Sequence, residues 1–549
     1  MKVRVFTILA LLAIASIALA QAPVVQTNPW YNSFRNQSTV GLLEDNLDLM
    51  LGRWGFLDPA RIDLIDGKYL YTNLANIYNK NEEQFNPSDA GTYVIGGTSD
   101  IFGYGKLGLL YSRNSDMVSD SLAIEDVELE DVDFGANPGF DIRRTEKGSY
   151  KWTYQSGESD YFLGWAKQVN DMRLGIAYKR MGTYYKYDYY QKYDYLEQNI
   201  ITGQTTEIEA GNDTFSYANT GAENWIGGSV WKPMNDKMDL SLRLAIGMGG
   251  FEGISEYDYA DNWSYPGGDS YGETEDWNFD IKYNGFAFSG GAAYIYKWTD
   301  DVNTRLDLQY THLGYKPDSD PTWEYNWHDQ GITLDSYYHD STYTEAVTGE
   351  YTQNNIDFRA VNTAKLERAV FAIGLGFSTG AIDSLETHER AVIETYDYRD
   401  DYNTTLPNSY VETSTWTETW DYKTTGASYV LSLPVAVEFN LTDNIVFRVG
   451  AEHKIEHSEK TENETLTGGS ALVTTVTRDG DGTTTTTYAP NPVLDQTTGI
   501  SETVQGTITH TDYTYGAGWK VTPNLQLDFM GFAQLNDLTN WKLSAVFKF

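Results

Sequence analysis

Trp541-Lys542-Leu543-Ser544-Ala545-Val546-Phe547-Lys548-Phe549 is the stretch that decides the fold. Successive side chains of an extended strand point to opposite faces. Trp541, Leu543, Ala545, Phe547 and Phe549 therefore share one face, and Lys542, Ser544, Val546 and Lys548 the other. An apolar face backed by a polar one over about ten residues is the pattern of a strand that crosses a membrane with lipid on one side and a watery interior on the other.

The same alternation recurs upstream. Met172, Leu174, Ile176 and Tyr178 alternate with Arg173, Gly175, Ala177 and Lys179; Leu240, Leu242, Leu244 and Ile246 alternate with Ser241, Arg243, Ala245 and Gly247. Leu306, Leu308 and Tyr310 alternate with Arg305, Asp307 and Gln309, and Ile445, Phe447, Val449 and Ala451 with Val446, Arg448, Gly450 and Glu452. Short polar turns precede these strands: Val169-Asn170-Asp171, Met234-Asn235-Asp236-Lys237, Thr299-Asp300-Asp301, Leu441-Thr442-Asp443-Asn444 and Val521-Thr522-Pro523-Asn524. Asn, Asp and Pro favour such tight connections. On the other side the connections are long, through residues 115–157, 187–221, 251–282, 316–349, 380–426 and 457–505. Short turns on one side and long loops on the other belong to a barrel; a soluble sandwich has no reason for the asymmetry.

The expected fold is an all-β, antiparallel up-and-down transmembrane barrel of about 16 strands, with 14 the alternative, from a first strand near Lys68–Asn79 to the last at Trp541–Phe549. Pro434 cannot donate to a ladder and predicts a bulge. Trp165, Trp231, Trp298 and Trp519 each stand within a few residues of a short turn, and with Phe549 they are the candidate aromatic girdle.

The C-terminal aromatic strand resembles the recognition signal of bacterial outer-membrane β-barrels, and the chain as a whole resembles porin-like members of that class. The resemblance implies outer-membrane lipid and the barrel-assembly machinery as partners, with a homotrimer one arrangement open to it. Lys2 and Arg4, the apolar run Ile8–Leu19 and Ala18-Leu19-Ala20 read as a cleaved signal peptide over 1–20, with export to the outer membrane of a diderm cell. Residues 21–66 fall outside the repeat and read as a periplasmic segment or small hatch, with the barrel over 67–549. Asp58-Pro59-Ala60-Arg61-Ile62-Asp63-Leu64 is similar to the Asn-Pro-Ala-x-Leu segment that precedes the first strand of fatty-acid-transporter-type barrels, with Asp58 and Arg61 departing from the usual Asn and Gly.

The chain has no Cys, 14% aromatic residues including 42 Tyr, and a net charge of −39. Thiol chemistry and Cys-metal sites are excluded, and nucleic acid is repelled as a partner. No phosphate loop, Gly-x-Ser-x-Gly or His-Glu-x-x-His motif is present, so neither an enzyme nor a cofactor is expected. Inward parity names Arg173, Lys179, Arg243, Arg305, Asp307, Arg448, Glu452 and Asp528 as pore-lining. Glu125, Asp126, Glu128, Glu130, Asp131 and Asp133 in one loop, and Glu252, Glu256, Asp258 and Asp261 in another, would concentrate cations at the mouth. Asp479-Gly480-Asp481-Gly482 resembles only a fragment of a calcium loop. The leading expectation is a passive channel for small hydrophilic solutes. Beside it stand a barrel-anchored surface protein acting through its loops and a transporter of hydrophobic substrates with a pocket beneath a hatch.

Overall fold

The computed structural model describes residues 33–51, 57–74, 93–130, 142–200, 202, 204–264, 270–317, 322–332, 335–400, 410–479, 483–491, 499–532 and 541–549. The signal region, Asp131, Asp133 and Gly480-Asp481-Gly482 lie outside them. Strands β1 (Tyr69–Leu74), β2 (Tyr93–Asp100), β3 (Lys106–Glu130), β4 (Ile142–Val169), β5 (Met172–Asn199), β6 (Thr205–Asn235), β7 (Met238–Ser264) and β8 (Ser270–Lys297) follow one another as antiparallel neighbours. They continue as β9 (Val302–Pro317), β10 (Thr322–Ile332), β11 (Asp335–Lys365), β12 (Ala369–Asp400), β13 (Tyr410–Asn440) and β14 (Ile445–Gly469). The last are β15 (Leu472–Asp479), β16 (Thr484–Pro490), β17 (Ile500–Thr522), β18 (Leu525–Phe532) and β19 (Trp541–Lys548).

Strands β9 and β10 both lie between β8 and β11 and form one stave in two pieces. Strand β15 continues the line of β14 along β13, and β16 returns beside β15 toward β17. The result is a closed 16-stave barrel, sealed where β19 pairs with both β18 and β1. The C-terminal strand whose alternation decided the fold is the closing stave.

The outer face carries the apolar residues that parity assigned to it. Leu242, Leu244, Ile246 and Met248 are exposed on β7, as are Phe371, Ile373, Leu375 and Phe377 on β12 and Phe447 and Val449 on β14. In water such a band would cost about 25 cal/mol per Å2 of apolar surface, so it belongs in lipid. Among the described residues no helix is long and apolar enough to cross a membrane.

The segments expected as long loops are largely hydrogen-bonded strand. Strand β5 has 28 residues and β12 has 32. At about 3.3 Å per residue and a tilt near 40°, a stave of this length rises about 70 Å, against an apolar band of about 25 Å. More than half of each tall stave therefore stands outside the bilayer as a paired wall. The described parts of the seam strands are 6 residues in β1 and 8 each in β2, β18 and β19.

One local expectation changes and one turn is explained. Pro434 makes no bulge; pairing to β12 lapses opposite Gly374 and Leu375, and the register is the same on both sides of the gap. The short turn after β4 is tightened by Asn170 at φ 57, a left-handed position that Asn tolerates.

Candidate functional site

Residues 33–51 and 57–66 fill the lumen at the end of the short turns. They form helix α1 (Phe34–Ser38), helix α2 (Asn46–Leu51) and a 3-10 turn (Pro59–Leu64). Ser33 caps α1 by accepting the Asn36 amide and ties it to α2, donating from its hydroxyl to Asp48 at 2.8 Å. Phe34, Leu42, Leu43, Leu47, Met50, Ala60, Ile62 and Ile65 are buried against the inner wall.

Space for this hatch comes from small inward residues of the staves. A Cβ on Gly175 would lie 2.2 Å from the Ala60 nitrogen, and one on Gly108 would lie 2.9 Å from Met50. Gly227 faces Leu57, while Gly450 and Gly516 face Ser38. The sequence pattern of apolar out and small in thus encodes a seat for a polypeptide rather than a water column.

Most of the charged residues expected to line a pore are consumed in holding the hatch. Arg61 is 2% exposed and donates to both Glu44 oxygens, at 3.1 and 2.5 Å. Glu44 also lies 3.6 Å from Arg305, which binds Asp307 through two nitrogens at 2.6 and 2.9 Å. Asp307 in turn stands 3.4 Å from Arg243, whose guanidinium reaches to 4.0 Å from Asp58. A second chain runs from Arg35 to Glu438 at 2.8 Å, on to Arg448 at 2.9 Å, and from Arg448 to Asp528 at 2.7 Å. Arg173 pairs with Asp63 at 3.0 Å, and Lys106 donates to the Ile65 carbonyl.

Arg173, Arg243, Arg305, Asp307, Arg448 and Asp528 do face inward, but each is paired, because a guanidinium or carboxylate shut away from water is tolerable only beside its counter-charge. Lys179 is buried on the same face, near Glu223. Glu452 is half-buried, 3.6 Å from Lys454.

Beyond the hatch, toward the tall end, aromatic side chains pack across the lumen. Tyr315 on β9 donates to Glu223 on β6 at 2.6 Å, and Tyr283 on β8 donates to Glu386 on β12 at 2.8 Å. Each bond spans two intervening staves, so these side chains bridge the interior. Trp225 adds a bond to Glu223 at 2.9 Å, and Phe251 stacks on Tyr283 with centroids 4.3 Å apart. Val347, Tyr351 and Leu313 complete the buried cluster. Above it His388 bonds Glu345 and lies 3.5 Å from Glu386. Burial disfavours its imidazolium, but the bonds to Glu345 and Glu386 outweigh burial and raise its pKa.

On the turn side of the hatch lies a cavity of ≈1080 Å3 with a mixed lining, in which Leu42, Leu43 and Leu47 of the hatch and Trp231 of the wall stand beside the charged Glu44, Arg61, Arg173 and Arg305. Trp231 is therefore not part of the girdle: it is 5% exposed and inward, in register with Arg173 and Ser241. Nearness to a turn sets the height of a residue on the wall, whereas its face is set by parity. Trp298, Trp519 and Phe549 are 60%, 52% and 77% exposed. Trp165 shares a face with exposed Leu163 and donates to the Tyr104 carbonyl at 3.1 Å.

The acidic residues expected in mouth loops sit on strands. Glu125, Asp126, Glu128 and Glu130 form the far end of β3, in register with Lys147, Glu146, Arg144 and Ile142 of β4. On β7, Glu252, Glu256 and Asp258 share the outward face with Met248, and Glu252 pairs with Lys282 at 2.6 Å. Asp261 alone of that group turns inward, 2% exposed. Extended pairing splits the β7 acids between two faces, so these four do not form one cation-gathering ring. In backbone register, His328 and Asp329 of β10 pair with Asp340 and His339 of β11. Among the described residues no group of three or more His, Cys, Asp or Glu is placed to hold a metal.

No protein-family model and no curated protein matches the chain. Among solved structures it is similar to a Pseudomonas aeruginosa FadL homologue, at 12% identity over 96% of this chain and 99% of that one, with a TM-score of 0.25. The P. putida toluene transporter TodX matches at 10% identity over 82% of this chain and 99% of that one, with a TM-score of 0.22. The siderophore receptor PirA from Pseudomonas aeruginosa matches at 9% over 88% of this chain and 80% of that one, with a TM-score of 0.21. The protein is a transmembrane β-barrel. Likeness at this level carries no argument about cargo, which has to come from the interior of this barrel.

Proposed function

We propose that the protein is an outer-membrane transporter that passes small, ring-bearing, largely apolar solutes through a gated lumen. The observation that carries this reading is the double closure of the interior. A hatch bound by buried ion pairs lies beneath a layer of Trp225, Phe251, Tyr283, Tyr315 and Tyr351. A passive pore for hydrophilic solutes needs a continuous wet path; here charge is neutralised pairwise and the next layer is aromatic. Aromatic side chains offer large apolar contact with a few polar handles, the usual make-up of a site for an apolar small molecule.

The test is flux into proteoliposomes. Indole and toluene are expected to enter faster than into protein-free vesicles, while glucose and arabinose are excluded. Rapid sugar entry through wild-type protein would overturn the reading in favour of a diffusion pore.

A further inference from the structure

High on the tall wall, the lumen-facing side of β4 to β7 carries a second feature that the hatch and the aromatic layer do not use. Strand β5 continues with unbroken register past Lys179, so Tyr185, Tyr187, Tyr189 and Tyr193 all share its inward face. Tyr185 sits between Tyr154 of β4 and Tyr217 of β6, with ring centroids 5.2 and 5.4 Å apart, and Tyr187 lies 5.9 Å from Phe215. Next to this ladder, on the same face, are Glu209 and Asp213 of β6 and Asp261 of β7.

Asp261 is the telling residue. It is 2% exposed; Oδ2 accepts from Tyr259 at 3.2 Å, the Tyr193 hydroxyl and the Glu209 carboxyl approach the same carboxylate, and Oδ1 is buried with no donor in bonding geometry. Asp213 Oδ1 is likewise buried and unpartnered. A buried acceptor without a donor costs about 1–3 kcal/mol, and more for a carboxylate, so two in one patch require a reason. Gly211 is part of the arrangement: a Cβ there would lie 2.6 Å from the Tyr193 hydroxyl, so glycine lets Tyr193 cross β6 toward Asp261. Burial, and then the neighbouring Asp261, push the Glu209 carboxyl up to about 7, and burial pushes Asp213 to about 6.

We propose that this patch is a recognition site for a ring-bearing organic cation, whose ammonium lies among Asp261, Glu209 and Asp213 and whose ring stacks on the tyrosine ladder. The chemistry favours an organic cation over a metal ion. Divalent calcium wants six to eight oxygens around it, and the patch offers few carboxylates beside many ring faces. Ring faces attract a weakly hydrated ammonium within about 6 Å of their centroids. The proposal rests on the transporter reading and narrows its substrate class to amphiphiles that carry a positive charge.

The experiment is calorimetric titration of the full-length, detergent-purified protein with benzyltrimethylammonium, with benzyl alcohol as the neutral ring-bearing control. The cation is expected to bind at least tenfold tighter than the alcohol. Asp261→Asn combined with Asp213→Asn should weaken it at least tenfold, and Tyr187→Leu, which removes one ring without touching a carboxylate, should weaken it several-fold if the acid variants do not fold. Equal affinity for cation and alcohol, unchanged affinity in these variants, or displacement of the cation by equimolar calcium would each overturn the proposal. Binding is read on the closed protein with no flux, so its failure leaves hatch gating intact, and rapid sugar flux in wild-type vesicles would remove gating without bearing on this site.

Discussion

Glu44→Gln tests the hatch lock at its most connected point. Glu44 accepts from Arg61 at 3.1 and 2.5 Å and stands 3.6 Å from Arg305. Both guanidiniums are nearly inaccessible to water. Removing the Glu44 charge leaves Arg61 without its carboxylate, while Arg305 keeps Asp307. Stripping one partner from a buried pair costs about 3–5 kcal/mol. Taking about 3 kcal/mol, because a Gln oxygen still accepts one bond, the ratio of displaced to seated hatch rises roughly 100-fold at 1.4 kcal/mol per decade. The penalty falls on the seated state alone, since a displaced hatch exposes Arg61 to water. The assay is open probability in a planar bilayer, with heat-modifiable migration on gels confirming that the barrel is intact. An intact Glu44→Gln barrel whose open probability equals that of wild type would refute the argument that these ion pairs hold the lumen shut.

Other outcomes follow from the same geometry. Gly175→Val places a side chain where the Ala60 nitrogen already lies 2.2 Å from a Cβ position, so the hatch should be expelled and conductance gained while the barrel band on gels is unchanged. Tyr315→Phe deletes a 2.6 Å bond and leaves a buried Glu223 oxygen unsatisfied, which should cost about 1–3 kcal/mol, read as a lower denaturant midpoint. Cation binding at the tyrosine patch should strengthen as pH rises from 5.5 to 8. Glu209, facing Tyr193, Glu207, Asp213, Tyr259 and Asp261, is neutral below about 7 and ionises above it, and Asp213 ionises above about 6. Each negative charge gained then draws the ligand in, so affinity rises between the two pH values, measured by titration at each.

The barrel was legible in the sequence because the period of two is imposed by geometry wherever lipid and interior meet. Leu242, Leu244 and Ile246 against Arg243, Ala245 and Gly247 leave one assignment of faces, and the structure keeps it. The use of the inward face was not legible. An arginine that meets water and one that meets a carboxylate from Glu44 look the same on a strand, since its partner lies more than 200 residues away in the chain. Inward glycines such as Gly108 and Gly175 were the available signal: a water-filled lumen gains nothing from glycine, whereas a seated polypeptide needs it. The tall wall was hidden for a related reason. Beyond the bilayer both faces of a strand can be polar, so Glu252 to Asp261 lose the alternation and resemble a loop although they pair in full register with β8. Trp231 shows that composition near a turn cannot stand in for parity.

The central claim is that the hatch, residues 33–51 and 57–66, closes the lumen of the folded barrel. Its most direct measurement is the conductance of wild-type protein in a planar bilayer beside a full-length variant with both hatch locks cut, Glu44→Gln with Arg35→Ala. The expected result is brief, rare openings for wild type and long, large openings for the variant. Continuous conductance of the wild-type protein, unchanged in the variant, would contradict the account and return the barrel to an open pore.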